Sequence, residues 1–151
     1  MNARRVYLDS SALIKRYVEE SGSEVIQKLY KKAYSGEIKL ITSLWNVGEV
    51  LGVFDMKRRW KELDEETHDF VRRAFLTDVK RMSTIGVLEV VPVHSMLLAD
   101  SWEIIERHHI YPADALQIVS ARYESAHEFY TADKRLSEIA RKEGLGTVLL
   151  E

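Results

Sequence analysis

The sequence has no cysteine, which excludes disulfides and thiolate metal sites and fits an intracellular setting. Only two prolines and seven glycines occur in 151 residues, so collagen-like and low-complexity structure is excluded and disorder is not expected. Basic charge is not in excess: the formal net charge is −2. Attraction to nucleic acid must therefore come from local basic patches, or from bound cations that reverse the charge of an acidic site. No apolar run reaches the roughly 18 residues of a membrane span. Met1 to Arg5 resembles the basic start of a signal peptide, but Asp9 interrupts the apolar run that follows, so no secretory signal is read and a soluble, cytoplasmic protein is expected. Hydrophobic residues at 46% and charged residues at 30% are enough for a packed interior. A chain of this length reads as one domain, residues 1–151, burying about 70% of its unfolded surface.

The chain is organised around Arg4 to Tyr17. Val6, Tyr7 and Leu8 suit a buried strand, and the next residues change at once to helix-start chemistry. Ser10 or Ser11 is placed to cap a helix carrying Ala12, Leu13, Ile14 and Tyr17, whose positive end lies beside Asp9. A plain N-cap explains Asp9 taken alone. Asp114 and Asp133, however, occupy the same kind of junction: Pro112 opens a helix next to Asp114, and Glu128-Phe129-Tyr130 is a strand signal followed by Asp133 and another helix.

Between these junctions the pattern keeps alternating. Val25, Ile26, Leu29, Ala33 and Tyr34 recur at helical spacing up to Gly36, and Ile38 to Ile41 is a strand closed by Thr42 and Ser43, either of which can cap the next helix. That helix, Leu44 to Lys61, has an apolar face of Leu44, Val47, Val50, Leu51 and Phe54. Trp45, Gly48, Glu49, Gly52 and Met56 form a second stripe, whose glycines suggest close approach of another group; Glu49 lies almost opposite the apolar face. Lys57 to Lys61 is basic with an aromatic, and reads as a solvated helix end or a phosphate contact. A long helix through Phe70, Phe75 and Met82 leads to Gly86, Val87 to Val93 is the third strand, and Met96 to Ile110 the next helix. His68, His94, His108, His109 and His127 lack partners at metal-ligand spacing. Gly144-Leu145-Gly146 is a helix stop before a last strand, Thr147 to Leu150. Trp45, Trp60 and Trp102 are expected in the core, with interface anchoring as the alternative.

Strands alternating with helices predict a mostly parallel sheet covered on both faces, with strand C-terminal ends along one edge. Asp9 and Asp133 would project there and Asp114 could join them. Two carboxylates about 4 Å apart repel by roughly 4 kcal/mol at an effective dielectric of 20, so such a group must protonate, separate or bind a cation. Hard oxygen ligands suit Mg²⁺ or Mn²⁺.

Leu8 to Ala12 (LDSSA), Gly48 to Val50 (GEV), Ala113 to Leu116 (ADAL) and Thr131 to Leu136 (TADKRL) resemble, in order and over essentially the whole chain, the four acidic motifs of PIN-domain ribonucleases, especially the VapC type of toxin–antitoxin systems. The resemblance implies a three-layer α/β/α fold with a five-stranded sheet of order 3-2-1-4-5. It implies Asp9, Glu49, Asp114 and Asp133 grouped around Mg²⁺ or Mn²⁺, with Ser10 or Ser11 and Thr131 in support. Gln117 departs from the family pattern, which often has histidine there. The implied reaction is hydrolysis of RNA phosphodiesters by a metal-activated water. The implied partners are an RNA substrate, a small VapB-like antitoxin and a second copy of the chain. Lys15, Arg16, Lys134 and Arg135 follow the acidic junctions and are candidate phosphate contacts, with a solvated face as the alternative. The competing readings are a stand-alone RNA-processing nuclease, an aspartate-based phosphotransferase, and a non-catalytic RNA-binding or protein-interaction module. Ser10-Ser11 stands where a phosphotransferase would carry a second acid.

Overall fold

In a computed structural model of the chain, which describes residues 3–151, strands and helices alternate as the sequence leads one to expect. β1 (Arg4–Leu8) is followed by α1 (Ser10–Ile14) and α2 (Ser23–Tyr34), then β2 (Ile38–Ser43), α3 (Leu44–Arg59) and α4 (Glu65–Thr84). The second half runs β3 (Leu88–Val91), α5 (Ser95–His108), α6 (Pro112–Tyr123), β4 (Glu128–Thr131), α7 (Lys134–Lys142) and β5 (Gly146–Leu149). The sheet order is β3-β2-β1-β4-β5, as the resemblance implies, and every pairing is parallel.

β1 is central because Val6, Tyr7 and Leu8 are all fully buried, the pattern of a parallel strand covered on both faces. Alternation sends Val6 and Leu8 into one core, shared with α1 to α4, and Tyr7 into the other, shared with α5 to α7. Tyr17, Phe54 and Phe75 meet edge to face in the first core, and Tyr7 stacks on Phe129 at 5.1 Å in the second. Such aromatic pairs contribute about 0.5–1.5 kcal/mol each beyond burial. In the register Leu8 faces Tyr130 and Ser43 faces Val91, so the residues that follow β1, β2 and β4 leave the sheet along one edge.

Five local expectations change. The first helix is a short turn ending at Ile14, after which Lys15 and Arg16 bond to carbonyls three residues back. β3 stops at Val91, before Pro92, which cannot donate to a ladder. On α3 the buried face is Asn46, Val50 and Phe54, with Val47, Leu51 and Val53 partly buried, while Leu44 is exposed. The helix is therefore rotated from the expected orientation, and Glu49 lies at the margin of its buried face. Gly48 and Gly52 are exposed, and a Cβ on either would meet nothing within 4 Å, so no group among the described residues makes the close approach they suggested. Finally, Trp45, Trp60 and Trp102 are 50%, 63% and 63% exposed, not in the core. Among the described residues no helix is long and apolar enough to cross a membrane.

Candidate functional site

The four acids singled out in the sequence meet at the edge where β1, β2 and β4 end. Asp9 follows β1, Glu49 lies in the second turn of α3, Asp114 in the first turn of α6, and Asp133 follows β4. They act on one another electrostatically: Glu49 on Asp9, and both Asp133 and Glu49 on Asp114.

Asp9 is almost completely buried, and burial pushes its carboxyl up to about 6. Hydrogen bonds from Ser11, Thr131 and the Ala12 N–H oppose that rise, and the charge of Glu49 adds to it. The capping expectation needs revision here. Asp9 is itself the N-cap of α1, its Oδ1 accepting from the Ala12 N–H at 2.9 Å, so the cap and the site residue are one group. The Ser11 hydroxyl donates to Asp9 Oδ1 at 2.6 Å and accepts from the Ala132 N–H at 2.8 Å, tying the end of β1 to the end of β4. Ser10 makes no side-chain hydrogen bond among the described residues.

Asp133 repeats the arrangement as the N-cap of α7, its Oδ1 accepting from the Leu136 N–H at 3.1 Å. Its own N–H donates to the Thr131 hydroxyl at 3.0 Å. Asp114 is half-buried, and burial, then Asp133, then Glu49 raise its carboxyl above the ordinary range, against the pull of Arg135.

Asn46 went unmarked in the sequence. It is fully buried one turn before Glu49, and its side-chain NH₂ donates to Glu49 Oε1 at 2.9 Å and to Gln117 Oε1 at 3.0 Å. Its oxygen accepts from the Tyr7 hydroxyl at 2.6 Å and from the Ser43 N–H at 3.2 Å. The Ser43 N–H bond is half of a capping box, since Ser43 caps α3 and Asn46 stands three residues on. That S-x-x-N spacing was the available signal. Through Asn46, Glu49 is held toward the other acids instead of swinging into solvent. Gln117 belongs to the same buried network.

The four basic candidates separate. Lys15 is buried and pairs with Glu20 at 3.2 Å. Arg16 bonds Gln27, lies 4.6 Å over the Tyr30 ring and faces Asp78 at 3.5 Å, in a network where Tyr17 and Tyr34 also donate to Asp78. Lys134 is exposed with no ion pair among the described residues. Arg135 is exposed, and its Nη2 donates to the carbonyls of His108 and His109, both at 3.1 Å. The histidines serve locally: His94 caps α5, His127 accepts from the Arg5 N–H, and His108 bonds Glu143.

Chemically, the acid set offers only hard oxygen donors and an excess of negative charge that a divalent cation would relieve. Among the described residues no three acidic or histidine side chains close into a ready cage.

The family model for the PIN domain matches residues 6–142. No curated protein matches the chain in sequence. Among solved structures, Mycobacterium tuberculosis VapC20, described as a toxin that cleaves the sarcin–ricin loop, aligns with a TM-score of 0.64 at 17% identity over 95% of this chain and 98% of its own. PAE2754 from Pyrobaculum aerophilum aligns at 0.66 and 14% identity over 96% and 84%. FitAcB from Neisseria gonorrhoeae aligns at 0.59 and 14% over 94% and 95%. At these identities the likeness is one of fold.

Proposed function

Because the chain belongs to the PIN domain family, we propose that it is a metal-dependent endoribonuclease and the toxin of a VapBC-type toxin–antitoxin pair. The observation that carries this reading is the collection of Asp9, Glu49, Asp114 and Asp133 at one sheet edge, where burial first, and the neighbouring acids after it, raise the carboxyls of Asp9 and Asp114. Acids collected in this way weaken the fold unless a cation or a proton answers them. Asn46 and Ser11 make that collection rigid, which a surface cluster of acids would not need.

In this reading Asp9, Glu49, Asp114 and Asp133 hold Mg²⁺ or Mn²⁺. The chemistry supplied on binding is that of a hard divalent cation, which lowers the pKa of a water and neutralises charge on a phosphodiester's leaving oxygen. The chain's own residues prepare for it. Asp9 takes on its negative charge as the pH rises through about 6, and Ser11 with the Ala12 N–H fixes the direction of its carboxylate. Asn46 occupies Glu49 Oε1, leaving Oε2 without a protein partner among the described residues. Asp114, less buried than Asp9 and with its carboxyl raised by burial and by Asp133, is placed to take a proton from the attacking water. Lys134 and Arg135, at the start of α7, are the basic residues left to meet phosphate, because Lys15 and Arg16 are engaged within the fold.

The partners follow from the same reading: an antitoxin over the acidic groove and a second copy of the chain, with the exposed Leu44, Trp45 and Trp102 as anchors, in the cytoplasm. The test is to incubate the purified protein with structured and single-stranded RNA in Mg²⁺, Mn²⁺ or chelator, beside Asp114→Asn. Cleavage that needs both the metal and Asp114 is expected. Cleavage that persists in chelator, or that Asp114→Asn retains, overturns the reading.

A further inference from the structure

A cavity of about 290 Å³ adjoins two of the four acids, Asp114 and Asp133. Ile110, Leu136 and Ile139 line it and are themselves nearly buried, so they form its apolar floor. Tyr111 and Arg135 line it from exposed positions and so stand at its mouth.

Tyr111 is the N-cap residue of α6, yet its side chain makes no capping bond. Its carbonyl accepts from the N–H groups of Asp114 and Ala115, both at 3.1 Å, which fixes the backbone while the side chain stays 81% exposed. It stands three positions before Asp114, and both residues line the same cavity. Arg135 is held in place by its two carbonyl bonds through Nη2, and its Nε and Nη1 make no hydrogen bond among the described residues.

An exposed aromatic at the mouth of a cavity with an apolar floor presents a surface for a planar ring, and aromatic side chains bind unpaired bases by stacking. The guanidinium answers a phosphate's charge. The volume lies at the lower end of small-molecule pockets, about 300 Å³, enough for one base and its sugar but not for a duplex.

We propose that this cavity is a subsite for one unpaired base of the RNA strand, stacked on Tyr111 with Arg135 meeting the adjoining phosphate, next to the bond to be cleaved. This rests on the ribonuclease reading above.

The test uses a short single-stranded RNA whose wild-type cleavage position has been mapped, and a set of copies with one abasic nucleotide at each position around it. For wild type, one abasic position is expected to raise KM by about 5- to 150-fold, the range that base–aromatic stacking covers. Tyr111→Ala should raise KM on the intact RNA by a similar factor and be indifferent to the abasic change at that position, while Tyr111→Phe behaves as wild type. A merely structural role for Tyr111 would not make two losses overlap in this way. If Tyr111→Ala cleaves intact RNA with wild-type KM, or keeps the full abasic penalty at every position, the subsite is overturned while the nuclease stands. If wild type neither binds nor cleaves any RNA, both fall.

Discussion

Replacing Asp9 with asparagine separates the charge at this site from its capping geometry. Asparagine keeps an Oδ1 that can accept from the Ala12 N–H and the Ser11 hydroxyl, and it is as good an N-cap as aspartate. What it removes is a buried carboxylate. Burial raises that group from 3.8 to about 6 in the folded protein, so the folded state holds the proton more tightly than the unfolded one. The stability this lends is complete below the unfolded value and is lost as the pH rises through about 6. The shift of about 2 units corresponds to about 3 kcal/mol, and roughly 2 kcal/mol of it falls between about pH 4.5 and about pH 8. Urea unfolding in chelator should therefore find Asp9→Asn more stable than wild type by about 1–3 kcal/mol near pH 8, with the gap narrowing by about 2 kcal/mol near pH 4.5. The new amide must find a partner, which sets the lower end of the range. Mn²⁺ should then raise the melting temperature of wild type and not that of the variant. A variant less stable than wild type at pH 8, or a gap that does not change with pH, would refute the argument and leave Asp9 as an ordinary cap.

Asn46→Ala leaves the Tyr7 hydroxyl and Gln117 without their buried partner and frees Glu49, so a loss of about 2–4 kcal/mol is expected in urea unfolding, with cleavage impaired beyond what the stability loss explains. Gly52→Ala should stabilise the isolated chain by about 1 kcal/mol, or a few degrees of melting temperature, because a Cβ there meets nothing; a destabilised variant would mean that another molecule packs on that face. Arg16→Met should lower stability by about 1–2 kcal/mol, since it takes the guanidinium from Asp78 and leaves that carboxylate only the Tyr17 and Tyr34 hydroxyls, and should leave KM for RNA unchanged in single-stranded cleavage assays. A KM effect without a stability effect would return Arg16 to phosphate binding.

The strand-to-helix junctions were legible because Val6-Tyr7-Leu8 stops at Asp9 and Phe129-Tyr130 gives way within three residues to Asp133, and a parallel sheet must bring such stops to one edge. Glu49 was not legible from periodicity. The group that fixes it, Asn46, is polar yet fully buried, so counting apolar residues rotated the helix the wrong way and set Leu44 in the core. Three exposed tryptophans break the rule that large apolar residues go inside, and Gly48 and Gly52 stand open where helix-interior glycines led one to expect a close contact. The fates of Lys15 and Arg16 depend on Glu20 and on Asp78, one nearby and one far along the chain, and spacing after an acidic junction carries no trace of either.

The most direct measurement is single-turnover cleavage of one RNA as a function of Mn²⁺ concentration, for wild type beside Asp9→Asn, Glu49→Gln, Asp114→Asn and Asp133→Asn. If the four carboxylates act as one unit, wild type shows saturable activation by Mn²⁺, and every variant loses most of its rate or needs far more metal. Wild-type cleavage that ignores chelator, or a Mn²⁺ curve left unchanged by any of the four substitutions, would contradict the account.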